Sequence, residues 1–262
     1  MNHSIDEVWI GLLAALLGMS LLWAWQLRSK RADYVDAAWA GTIGVLAIFF
    51  AATGSGALEK KLLAVLVAGT WSFRLTNHML TRLRTHAEED GRYQALRAHW
   101  GAAVNLRMWF FFMAQAFVAW LFALPAWVVS GDTNSDLSAW VLIGVAVWML
   151  SLYGETIADQ QLARFRADPK NKGQVCQVGL WNYSRHPNYF FEWLHWFSYP
   201  LIALGAPNAW IAWAGPLVML IFLYRITGIP YTEKQAIKSR GERYEAYQKT
   251  TSPVIPWFKR SA

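Results

Sequence analysis

Seven stretches of this chain are long and apolar enough to cross a hydrocarbon core, and nothing else in the sequence restricts the fold as much. They are residues 8–27, 35–53, 62–80, 106–129, 137–154, 189–204 and 208–229. A spanning helix needs about 20 mostly apolar residues. The third and sixth stretches also carry ionisable groups, Arg74 and His78 in one and Glu192 and His195 in the other. A large soluble helical bundle is the competing reading. It fits less well, because helices of soluble proteins seldom stay apolar all round for so many turns. With 262 residues, 55% hydrophobic and 16% charged, the chain has the length of one or two domains and an apolar share above the soluble norm. The expected fold is an all-α, polytopic integral membrane protein with about seven transmembrane helices.

The loop charges set an expected orientation. Arg28, Lys30 and Arg31 follow the first stretch, Arg82, Arg84, Arg92 and Arg97 follow the third, and Arg164, Arg166, Lys170, Lys172 and Arg185 follow the fifth. The tail adds Lys234, Lys238, Arg240, Arg243, Lys249, Lys259 and Arg260. The alternate loops hold only Lys60 and Lys61, then the acidic SGDTNSD, then the uncharged GAPN. The positive-inside rule gives an outside N-terminus and a cytoplasmic C-terminus. The same sorting explains the net charge of +7 through anionic lipid or an anionic cofactor, with no need for nucleic acid. The start MNHSIDEVW is acidic and lacks the basic region of a secretory signal, so the first stretch is expected to remain. Cys176 is the only cysteine, which rules out a disulfide framework and a thiolate cage.

Standard nucleotide motifs are missing. GTIGVL (41–46) and TGSGALEKK (53–61) match neither Walker nor Rossmann spacing. The six His are scattered and no catalytic metal is expected. What remains is polar residues in or beside membrane helices, which are expensive enough to count as functional candidates. In GLWNYSRHPNYFFEWLHWFSYP (179–200), Pro187 fits a helix's first turn. From there Asn188, Glu192, His195 and Tyr199 fall at steps of four, three and four, on one face. An interhelix hydrogen-bond seam is one account of that stripe. A ligand site is the stronger one, because Glu192 adds a charge and Arg185 and His186 stand at the helix start.

A second set, Glu155, Asp159 and Arg166, falls on one face of a helix leaving the fifth stretch. The tail YTEKQAIKSRGERYEAYQKTTSPVIPWFK (231–259) reads as an amphipathic helix broken near Gly241, then a short helix carrying Tyr244 and Tyr247, stopped by Pro253. Its basic and aromatic residues suit phosphate binding and suit an anionic lipid surface equally. Near the second and third stretches, Asp33, Tyr34 and Asp36 precede Arg74 and His78, and an Asp36–Arg74 ion pair is open as a structural reading. Most of the Trp residues near span ends, Trp257 among them, read as interface anchors.

GLWNYSRHPNYFFEW followed by EKQAIKSRGERYEAYQKTTSPVIPWF resembles the C-terminal half of the steroid 5-alpha-reductase family, closest to its bacterial branch. WSFRL with EDGRY, Gln115 in FMAQAF, and ADQQLARFR before the GLW turn are similar to that family in type and order, so the resemblance covers most of the chain. It implies a single membrane-embedded domain over 1–262, with substrate-side helices in 1–130 and a cofactor half in 131–262. It also implies NADPH, a lipophilic enone such as a 3-oxo-4-ene steroid, membrane lipid as surroundings, no protein partner, and the bacterial inner membrane. Carried over by position, Asp159, Arg166 and Asn188 match cofactor-contacting residues, and Glu155 stands where the family has Asn. Arg185, His186, Tyr189, Glu192, Tyr231, Glu233, Lys234 and Tyr247 lie in matching segments.

Family chemistry is hydride transfer to the β carbon of the enone while an acid polarises its carbonyl. This chain has Trp71 three residues before Arg74, where the steroid reductases have Tyr, and an indole N–H is no useful acid. The family's Gln-Glu pair is also absent as such, which leaves Tyr34, Asp36 and Arg74 for the carbonyl end and Glu192 beside the cofactor. Isoprenylcysteine and phospholipid methyltransferases carry a similar RHP-x-Y and a late acidic tail to hold S-adenosylmethionine, and are the alternative. Asn188 after Pro187, Glu192, and the Asp159-to-Arg166 spacing favour the reductases. A non-catalytic lipid-binding or scaffold protein is the third class.

Overall fold

A computed structural model describes residues 5–85, 88–226 and 228–259; the first four residues of the acidic start, and Arg260 of the basic tail, lie outside the described residues. The helices are α1 (Ile5–Ser29), α2 (Tyr34–Thr53), α3 (Leu58–Thr85), α4 (Gly91–Trp100), α5 (Val104–Ser130), α6 (Ala139–Ala167), α7 (Pro187–Ile202), α8 (Ala214–Ile221), α9 (Ile229–Arg240) and α10 (Glu242–Thr250). Short 3-10 turns connect several of them. Among the described residues there is no strand, only an isolated bridge between Ser184 and Ser252.

Among the described residues, five helical stretches are long and apolar enough to cross a membrane: Ile5–Ser29, Tyr34–Thr53, Gly91–Ser130, Ala139–Ala167 and Ala209–Arg240. The protein is all-helical and membrane-embedded. The count departs from seven at the two stretches that carry charge. Helix α3 is long enough, but Glu59, Lys60, Lys61, Arg74, Arg82 and Arg84 interrupt its apolar character. Helix α7 has only 16 residues, a rod of about 24 Å. The seventh stretch is not one continuous rod. It starts as a 3-10 turn (Ala209–Trp213), continues as α8, and loosens into a π turn (Phe222–Ile226). Gly228 N–H then reaches back to Phe222 O (3.2 Å), and a Cβ at 228 would lie 2.6 Å from Leu223 O, so the fold-back needs glycine.

The chain forms two compact units, Met1–Asp136 with Ala203–Ala214, and Leu137–Ile202 with Gly215–Ala262. In the first, α2 and α3 approach so closely that a Cβ on Gly44 would sit 2.5 Å from Ser72 Oγ, whose hydroxyl donates to Ala40 O (2.7 Å). Trp39 meets Trp71 and Phe122 edge-on, and Trp120 Nε1 donates to Val8 O (2.8 Å), tying α5 to α1. Leu13, Leu17 and Leu21 stand exposed on α1 at steps of four, an apolar outer face that suits lipid. In the second unit, α6 lies against α7 through glycines. A Cβ on Gly144 would meet Ile202 and Ser198, and one on Gly154 would meet the Phe191 ring at 2.3 Å.

Where α3 begins, Lys60 Nζ donates to Asp132 Oδ2 (2.8 Å), and both side chains are almost fully buried. Gly56 and Ala57 N–H bond to Ser130 O and Asp132 O beside the pair. Removing one partner strands a buried charge, which costs about 3–5 kcal/mol. Lys60→Met is therefore expected to lower the thermal unfolding midpoint of the detergent-solubilised protein strongly, and Lys60→Met with Asp132→Leu to restore most of it. A double variant no better than the single one would mean that the pair contributes more than mutual neutralisation.

Candidate functional site

Helix α7 begins at Pro187, as its first-turn chemistry requires, and His186 O accepts the first helical bond from Phe190 N–H (3.1 Å). Asn188, Glu192, His195 and Tyr199 follow on one face. His195 and Tyr199 are fully buried, with their rings edge-on at 5.6 Å, while Glu192 is partly buried. On α6, Glu155 is buried and Asp159 lies one turn on. Asn188 Nδ2 donates to Asp159 Oδ1 (3.2 Å), so the two helices bring together two of the residues predicted from sequence. Asn188 Oδ1 is buried and has no hydrogen-bond partner. A buried amide oxygen left this way costs free energy, and a donor supplied by a ligand would recover it.

The turn before α7 is built on α6. Leu180 N–H donates to Gln161 Oε1 (2.9 Å) and Trp181 Nε1 to Ala158 O (2.8 Å). Gly179 has φ of 55°, and a Cβ there would meet the Gln161 side chain at 2.2 Å. The QQ and GLW pieces therefore serve to place Asn188 against Asp159.

Arg185, His186, Glu233 and Tyr247 occupy a different position. Past the apolar run, Glu233 of α9 accepts from Arg185 Nε (2.6 Å) and Gln248 Nε2 (2.7 Å), and lies 3.2 Å from His186 Nε2. Arg185 Nη1 also donates to Gln248 O (3.0 Å) and Thr251 O (2.5 Å). Tyr247 hydroxyl donates to Trp181 O and to Ser184 O, and Ser184 Oγ donates to Val254 O (2.7 Å). These side chains lace the tail onto the segment before α7. Gln248, Thr251 and Ser184 had no mark in the sequence, because four of the bonds they make or receive run to backbone carbonyls. Tyr189 stacks on His186 and shares a hydrogen bond with Thr232 Oγ1 (3.1 Å), while Tyr231, Lys234 and Arg166 are exposed.

Burial alone would raise the Glu233 carboxyl. Hydrogen bonds from His186, Arg185 and Gln248, with the Arg185 charge, outweigh that and hold it at about 2 against an ordinary 4.5.

In the other unit, Asp36 accepts from Tyr93 hydroxyl (2.7 Å) and Arg92 Nη2 (2.8 Å), both from the EDGRY piece. The opposite charge that Asp36 finds is thus Arg92. Neighbouring charges extend this set: Arg31 is bidentate on Asp33 (2.9 and 3.1 Å), and Arg97 bonds Glu89 (2.8 and 3.0 Å) and Gln26 Oε1 (2.7 Å). Tyr34 lies beside them with Arg31 5.4 Å above its ring, and Arg74 lies partly buried on α3. Trp71 is fully buried against Trp39. Among the described residues no cluster of three His, Cys, Asp or Glu is arranged to hold a metal.

A helical membrane protein with a polar seam between two glycine-packed helices is the class that this fold and site define. Residues 22–251 match a family model described as a protein of unknown function (DUF1295), and the chain belongs to that family. It is similar to an uncharacterized protein of Schizosaccharomyces pombe, 24% identical over 96% of this chain and 79% of that one.

The Glu233 pairing has a pH signature. A carboxyl depressed in the folded state contributes stability that is complete above the unfolded value near 4.5 and is lost as pH falls toward 2. The unfolding midpoint of the native protein should therefore drop more steeply between pH 6 and pH 3 than that of Glu233→Gln. Parallel curves for the two proteins would show that the cluster is not held by this charge.

Proposed function

We propose that the protein is a membrane-embedded NADPH-dependent reductase that saturates the activated C=C of a lipophilic enone, such as a 3-oxo-4-ene steroid or a related lipid. The observation that carries this reading is the Asn188–Asp159 pair with its buried, unmatched amide oxygen, one turn from the buried Glu155. An acceptor and two carboxylates at a helix seam suit the hydroxyl and carboxamide donors of a nicotinamide nucleotide. The resemblance of the surrounding segments to the steroid 5-alpha-reductases supports the same assignment.

In this reading Asn188, Asp159 and Glu155 hold the cofactor's neutral polar groups, and the exposed Arg166 and Lys234 meet its phosphates. Arg185, His186, Glu233 and Tyr247 act one step back. Their hydrogen bonds are spent within the chain, and they fix the segment that carries Asn188. When bound, the dihydronicotinamide supplies a hydride for the β carbon of the enone. Glu192 lines the same face of α7 as Asn188. Trp71 can donate a hydrogen bond but no proton. Closing such a site away from water strengthens every donor aimed at the developing oxyanion.

Nucleotide protection separates the readings without a substrate. At about 100 times its Kd, a ligand stabilises the folded state by about 2.7 kcal/mol. NADPH should raise the unfolding midpoint by several degrees and S-adenosylmethionine should not. Asn188→Ala should weaken NADPH binding about tenfold, and Arg166→Ala should weaken NADPH more than NADH. Protection by S-adenosylmethionine alone would transfer the protein to the methyltransferases, and protection by neither would favour a non-catalytic role.

A further inference from the structure

A cavity of about 570 Å³ lies among α1, α2 and α3, within the first unit. Small residues form its walls, Ala14 and Gly18 on α1 and Ala38 and Gly41 on α2. Bulkier apolar side chains close it, among them Leu22, Val45 and Leu80; Tyr34 stands at one end, and Thr42 and Thr76 add hydroxyls. A Cβ on Gly18 would meet nothing within 4 Å, so the hollow continues up to the α1 backbone. Its volume is in the range of small-molecule sites, about 300–1,000 Å³.

The dimensions and the charges select an occupant. The lining residues run from Ala14 to Leu22 along α1 and from Tyr34 to Leu46 along α2. At about 1.5 Å per residue these lengths are roughly 12 and 18 Å, close to half of a hydrocarbon core about 30 Å thick. The cavity is therefore as deep as one leaflet. Its Tyr34 end is the basic one. Arg28 is exposed near the end of α1 and Lys30 just after it, Arg31, paired with Asp33, lies over the Tyr34 ring, and Arg84 is exposed one turn past Leu80 on α3. The lining residues themselves are uncharged, and these cations stand beyond the Tyr34 end.

We propose that this cavity holds one acyl chain of an anionic phospholipid, with the phosphate at Arg28, Lys30 and Arg84. The apolar walls take the chain, the glycines and alanines let it lie against the helix backbones, and the cations meet the headgroup as polybasic segments meet anionic lipid. This site is independent of the nucleotide reading and stands whether or not NADPH binds.

The test uses the full chain in mild detergent. The native protein, Gly18→Leu and Gly69→Leu are delipidated, offered dioleoylphosphatidylglycerol or dioleoylphosphatidylcholine, and examined by native mass spectrometry. Gly18→Leu projects a side chain into the hollow from a Cβ position that meets nothing within 4 Å. Gly69→Leu puts the same side chain on α3 outside it, where a Cβ also meets nothing within 4 Å. Both remove a helix glycine, and both are expected to unfold at or above the native midpoint. The expected result is one tightly retained phosphatidylglycerol on the native protein and on Gly69→Leu, at least tenfold less on Gly18→Leu, and several-fold weaker retention of phosphatidylcholine. Equal retention by all three proteins overturns the site, as does equal loss from both variants or no retained lipid on the native protein. Equal retention of the two headgroups overturns the basic mouth.

Discussion

A charge placed in or beside hydrocarbon must be paired, and this protein satisfies that demand with compact clusters at the points where helices begin or end. Lys60 and Asp132 neutralise each other where α3 begins. Ion pairs and backbone hydrogen bonds join Arg31, Asp33, Glu89, Asp90, Arg92 and Arg97 where α1 gives way to α2 and α4 begins. Arg185 and Glu233 do the same before α7. The pairing works as a fastener because each cluster has at least one ion that also takes a backbone group, as Asp132 does from Asn134 N–H. Arg185 holds two tail carbonyls, and Asp33 and Glu89 accept from the N–H groups of Asp90 and Ala32.

Fastening of this kind frees the middle of the helices from polar duty. There the contacts are made by shape. Gly44 against Ser72, and Gly144 and Gly154 against α7, let backbones come closer than any larger residue would permit. Helices in lipid gain little from burying apolar surface against each other, so close van der Waals packing and a few hydrogen bonds have to hold them. The Asn188–Asp159 pair lies on such a seam, one turn of α6 past Gly154. Its geometry is thus set by glycines that never touch it.

Helix content and the membrane were legible in the sequence because apolar run length is a local property. So was the two-helix tail, since Gly241 with φ of 56° interrupts it and α10 ends before Pro253. Span count was less legible. The charges of α3 and the brevity of α7 are visible in the sequence, but whether such a segment crosses depends on what surrounds it. The break in the seventh stretch depends on Gly228 meeting Leu223, a backbone approach that leaves no periodic trace. Of the candidate residues, spacing placed Asn188, Glu192, His195 and Tyr199 on one face of α7. It could not tell Asp36 facing Arg74 from Asp36 bound by Arg92 and Tyr93, because that partner sits 56 residues away.

Arg185 and Asn188 show why residue type alone divides a polar stretch poorly. They are three residues apart in one motif, and both are the kind of side chain that binds a nucleotide. Arg185 has its bonds filled by Glu233, Gln248 and Thr251, whereas Asn188 keeps a buried oxygen with no donor. A guanidinium that already bridges a carboxylate and two carbonyls would have to break several good bonds to bind a phosphate. An amide oxygen with no donor gains from the first one that arrives. The same comparison sorts the remaining candidates: Glu233 and Tyr247 group with Arg185, and the exposed Arg166 and Lys234 remain available to an anionic ligand. The nucleotide we propose would meet a preset amide and carboxylate on the seam and exposed cations, so that the neutral groups fix orientation while the cations adapt to the phosphates.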